Sequence, residues 1–115
     1  MAATYRTYLR NTIGFGTNDR VTTIGAHGLD NFDTMAELED DDVKTLFNAA
    51  RKQTPPMLVS AIIEKRIKLA CYGARTYTII GRDVDGTSLS LRRLKQLELH
   101  KKIIEEHKDP SEGIP

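Results

Sequence analysis

The sequence predicts an all-α domain, and three observations carry that expectation. Apolar residues recur at three- and four-residue spacings along most of the chain, Gly and Pro fall between those stretches, and only TYTII at 76–80 is strand-like. A lone strand would have no partner elsewhere in the sequence. With 115 residues, 39% hydrophobic, 29% charged and 6% aromatic, the chain is sized for one modest, well-solvated core.

The first element is expected over 3–12, where Tyr5, Tyr8 and Leu9 share a side before Gly14 and Gly16 break the pattern. Thr17 and Asn18 can cap a second helix carrying Val21 and Ile24, with Gly28 taking the left-handed conformation after its last turn. Asn31 or Asp33 then caps a short helix with Phe32, Met35 and Leu38. The acids Glu39, Asp40, Asp41 and Asp42 precede Val43, Leu46, Phe47 and Ala50, one face of an amphipathic helix. Carboxylates in a first turn meet unpaired N–H groups and the positive end of the helix dipole, each favourable by about 0.3–1 kcal/mol, and Arg51 and Lys52 suit the other end. Successive aspartates diverge by about 100° around a helix and fit no spaced metal-ligand pattern, so the run reads as a helix start.

TPPML suggests that Thr54 caps, and Pro55 opens, a long central helix over 55–80. Leu58, Val59, Ile62, Ile63, Ile67, Leu69 and Ala70 would form its apolar stripe, with Ser60, Glu64 and Lys68 opposite. Gly73 could stop that helix, but Ala70, Ala74 and Tyr77 stay in phase, so it is expected to reach Ile80 and end at Gly81. RDVDGT is a connector with a cap at Thr87, and a last helix is expected over 88–107. Its apolar residues fall on two sides, with Leu91, Leu94, Leu97 and Ile104 on one and Leu89, Leu99 and Ile103 on the other. Residues 1–109 thus read as one helical domain, followed by a mobile tail at 110–115.

Candidate chemistry is sparse. Aligning DVDG to a calcium loop puts Gly81 and Arg92 where acidic ligands belong, and GFGTND lacks the strand, third glycine and lysine of a phosphate loop. His100 and His107 share a helix face without a third ligand, and Cys71 has no base expected beside it. No enzyme, cofactor, metal site or small-molecule substrate is indicated. With 17 Lys plus Arg against 16 Asp plus Glu there is no global field for nucleic acid or an anionic membrane. Two local basic clusters, Lys65, Arg66, Lys68 and Arg92, Arg93, Lys95, are the nucleic-acid candidates, able to form a phosphate-binding stripe if their helices pack side by side. MAATYRTYLRNTIGFG lacks the apolar core of a signal peptide, and no apolar run spans a bilayer, so the expected setting is intracellular, cytoplasmic by default.

The order of short helices before a long one, with GLDNFDTMAELEDDDVKTL as its most characteristic stretch, resembles the SAM-like five-helix fold over residues 3–72. That resemblance implies a bundle of short helices packed on a long central one. The helix-hairpin-helix of DNA-binding proteins is a neighbouring pattern, but GAHGL does not match its Gly-apolar-Gly hairpin. Residues 15–107, with LEDDDVKTLFNAARK before a long helix, look similar to the gag-like leading segment of marine algal retroelement polyproteins, which implies an assembly role. The expected function is therefore a protein–protein interaction or self-assembly module using Leu89, Leu99 and Ile103 on the last helix, partnered by itself or another protein. The alternative is an RNA- or DNA-binding module using the six basic residues.

Overall fold

The computed structural model describes residues 2–107, and the side chains of 4–106; the expected tail at 110–115 lies outside the described residues. The described residues form helices and connecting turns, with no strand among them. Helix α1, Ala2–Thr7, continues as a π-helical segment, Tyr8–Ile13, and is followed by α2, Asn18–Ala26, α3, Phe32–Met35, α4, Asp40–Lys52, α5, Ala61–Ile79, and α6, Leu91–His107. TYTII is helical through Ile79 and turns at Ile80 and Gly81.

The helix starts follow from capping side chains. Thr17 accepts from the Arg20 N–H, Asn31 from the Thr34 N–H at 2.7 Å, and Asp42 from the Glu39 N–H at 3.1 Å. Asn31, not Asp33, therefore caps α3, and the acidic run opens α4. Gly28, at φ 117°, takes the left-handed backbone that lets the chain leave α2.

Helix α5 is the centre of the fold, packed against the π-helical segment, α3, α4 and α6. Ile63, Ile67, Leu69, Ala70, Cys71 and Ala74 are buried along it. Around it lie Leu9, Ile13, Phe15, Leu29, Met35 and Phe47, so the shorter helices and the turns between them contribute anchors to a shared core. Polar groups at their margins are satisfied across the chain: Tyr5 Oη donates to the Leu29 carbonyl at 3.1 Å, and Arg75 donates to the Leu38 carbonyl.

The expected start of the central helix fails here. The central helix does not begin at Pro55; residues 53–60 cross the end of α4 in non-helical conformation and Ser60 is the cap, accepting from the Ile63 N–H at 3.4 Å. The Met57 N–H bonds to the Ala50 carbonyl at 2.9 Å and its side chain is buried, so this segment is tied to α4 instead of starting α5. Leu58, in this link, and Ile62, in the first turn of α5, were expected in the core stripe and are exposed. As expected, the helix continues through Gly73, which lies inside α5 and is buried; a Cβ there would sit 2.7 Å from Leu97 Cδ1 and 2.9 Å from Leu89 Cδ2. It is a point of close approach, and it admits the chain leading into α6.

Candidate functional site

The residues expected to make the interaction strip separate in space. Leu89 is fully buried, and it belongs to a turn, not to the last helix. Asp85 builds that turn by accepting from the Thr87 and Ser88 N–H groups at 2.9 and 2.8 Å. The cap expected at Thr87 is instead at Ser90, whose hydroxyl accepts from the Arg93 N–H at 3.4 Å and whose carbonyl accepts from the Leu94 N–H at 2.8 Å. Released from helical phase, Leu89 drops onto Gly73, and its carbonyl accepts from Tyr8 Oη at 2.6 Å. It is a core residue and takes no part in an exposed surface.

Leu99 and Ile103 are exposed as expected, at 60% and 43%. At about 100° per residue they lie within a narrow arc opposite Leu94, Leu97 and Lys101, which face α5. Leu94 is buried in the core, and Lys101 approaches the Tyr72 ring at 5.6 Å and Asp40 at 3.6 Å. Ile104 is in phase with Leu97 yet 49% exposed, and it lies beyond Lys101, whose contacts with Tyr72 and Asp40 tie this part of α6 to the body. Periodicity placed Ile104 on the core side; it could not show where along α6 the core ends.

The basic clusters do not assemble into one free stripe. Lys65 pairs with Glu98 at 2.5 Å, Lys68 with Glu64 at 3.3 Å, and Arg66 donates to the Ile13 carbonyl at 3.0 Å. Arg92, Arg93 and Lys95 are exposed but diverge by their sequence spacing. Lys95 shares a groove of about 220 Å³ with Lys65 and Arg66, whereas Arg93 lines a different depression with Tyr77 and Arg82.

A charged cleft of about 640 Å³ between α4, α5 and α6, reached by Asp40 and Arg51 from the two ends of α4, went unforeseen. Its side chains are largely paired: Arg51 donates to Glu64 Oε1 at 2.7 Å, beside the Lys68–Glu64, Lys65–Glu98 and Lys101–Asp40 pairs. Desolvation pushes the Glu64 carboxyl up, but hydrogen bonds and charge from Arg51 and Lys68 outweigh it and hold the group below its ordinary value. A carboxylate held ionised between two cations is a clamp between helices, not a proton donor near neutral pH. The Glu64–Lys68 spacing was legible, but the reach of Arg51 from the last turn of α4 was not.

Burial pushes the Cys71 thiol up to about 12, which leaves it protonated and unreactive at neutral pH. Tyr5 and Tyr8 are likewise raised by burial. His27 Nε2 lies 2.9 Å from Gln53 Oε1, His100 is exposed, and the His107 side chain lies outside the described residues. Among the described residues no three His, Cys, Asp or Glu side chains gather as a metal site, and no helix is long and apolar enough to cross a membrane.

The fold and these side chains define a compact helical domain whose exposed large apolar side chains include Leu58, Ile62, Ile79 and Ile80 as well as Leu99, Ile103 and Ile104 on α6. No protein-family model, curated protein or solved structure matches the chain.

Proposed function

We propose that this chain is a non-enzymatic protein–protein interaction and self-assembly module that associates through the outer face of α6. The observation that carries the reading is the position of Leu99 and Ile103, both exposed and one turn apart on the side turned away from α5. Burying each such side chain contributes about 1.5–3 kcal/mol before the entropic cost of association is subtracted, so a small seam supports weak, concentration-dependent pairing. The same reading takes residues 3–72 as a SAM-like core, supported by the order of short helices before α5, and takes the setting as intracellular. The gag-like resemblance points the same way, toward assembly.

Light scattering over a concentration series tests it. The mass is expected to rise from monomer toward dimer, and Leu99→Asp with Ile103→Asp is expected to return it to monomer without loss of helical circular dichroism. A wild-type chain that stays monomeric to its solubility limit would overturn the reading.

A further inference from the structure

The charge order of α6 contains more information than its exposed leucine and isoleucine. Its first turn carries Arg92 and Arg93 with no acid, and its last turn carries Glu105 and Glu106. Helix α4 has the opposite order, with Asp40, Asp41 and Asp42 first and Arg51 and Lys52 last, as the helix dipole favours. The start of α6 thus carries charges that its own dipole disfavours.

The outer face of α6 also has a regular composition. Arg92, Gln96, Leu99, Ile103 and Glu106 follow one another at alternating four- and three-residue spacings, the repeat of a helix-pairing seam. All five lie within an arc of about 80°, opposite the face held by α5, and all are exposed. The seam is basic at its start, apolar in the middle and acidic at its end.

Resting on the self-association reading above, we infer that the partner is a second copy of this chain, with the two α6 helices pairing antiparallel about a twofold axis between Leu99 and Ile103. In that register Leu99 of each copy packs on Ile103 of the other. Glu106 comes level with Gln96 of the second copy, beside its Lys95 and one turn from its Arg92, so the acidic end of each helix meets the basic end of the other. The two dipoles also oppose. Parallel pairing would instead set Arg92 against Arg92 and Glu106 against Glu106. Lys102 flanks the seam in either arrangement, and its flexible stem can carry the ammonium out to solvent.

Orientation is read by mixed cross-linking of the full chain. Chains with Gln96→Cys are mixed with chains carrying Glu106→Cys under mild oxidation; Cys71, fully buried, does not compete. Antiparallel pairing gives the mixed disulfide between positions 96 and 106 as the main product. Disulfides joining like positions overturn the inference while leaving self-association standing. So does an absence of cross-links at concentrations where light scattering reports dimers. A chain that never dimerises overturns both.

Charge reversal supplies a second arm with the native seam retained. Arg92→Glu is expected to weaken dimerisation about fivefold, two symmetric exposed contacts being affected, and Glu106→Arg in the same chain to restore it. The melting temperature of the dilute Arg92→Glu chain should hold or rise, since an acid then occupies the helix N-terminus. Dimerisation indifferent to both substitutions excludes the proposed register.

Discussion

The two longest helices, α5 and α6, carry comparable numbers of leucine and isoleucine, five and six, and end in opposite roles. Seven positions of α5 are buried, from Ile63 to Ala74, and neighbours cover it on several sides. Among the described side chains of α6 only Leu94 is buried, while Leu99, Ile103 and Ile104 remain exposed. Leucine and isoleucine content alone therefore does not make a core helix. The deciding feature is whether other segments return to cover each side, and for α6 the extensive contact is with α5.

The sharpest way to break this contrast is truncation at matched positions. Ile67→Ala, in the fully buried centre of α5, is expected to cost about 2–5 kcal/mol, a large part of the stability of a domain this size. Leu99→Ala on the outer face of α6 should stay within about 0.5 kcal/mol for the isolated subunit. Urea unfolding of the dilute chains measures both. Equal losses would mean that the exposed face of α6 is covered within one subunit.

Next in size is the junction between the helices. Gly73→Leu would drive a large side chain against Leu97 and the buried Leu89, whose terminal carbons already stand where even a Cβ would come within 3 Å. Helix propensity favours leucine over glycine by about 1 kcal/mol, but overpacking costs about 1–3 kcal/mol or more, so the net effect should be destabilising. Thermal unfolding followed by circular dichroism reads the loss. A neutral result would show that α6 can shift on α5 without cost.

Much of the fold was legible because helix starts and apolar phase are local properties. Thr17, Asn31 and the acidic run before Val43 each identified a helix from side chains that bond within three residues. Leu89 was misread because phase was extrapolated through a turn: the projection assumed helix at 88–90, whereas Asp85 and Ser90 divide the segment there. The outer face of α6 was half legible. The phase of Leu99 and Ile103 was right, but the exposure of Ile104 depends on where α5 ceases to cover α6, a long-range fact. The paired state of Lys65 and Arg66 was hidden for the same reason, since Glu98 and the Ile13 carbonyl are far away in sequence.

The smallest effect concerns where α5 begins. Both Thr54 and Ser60 are good capping residues, and Pro55 made Thr54 the more persuasive start. The two differ in the backbone C-terminal to them. After Thr54 the chain is held by the Met57 N–H bond to the Ala50 carbonyl, by Gln53 Nε2 donating to the Pro55 carbonyl at 3.2 Å, and by Arg51 donating to the Val59 carbonyl at 3.3 Å. These bonds fix an irregular link that a helix from Pro55 would have to break. Ser60→Ala should therefore cost about 1 kcal/mol, and Thr54→Ala, exposed and outside any helix, no more than about 0.5 kcal/mol. Paired urea titrations decide the matter: a larger loss at Thr54 than at Ser60 would return the start of the central helix to the proline pair.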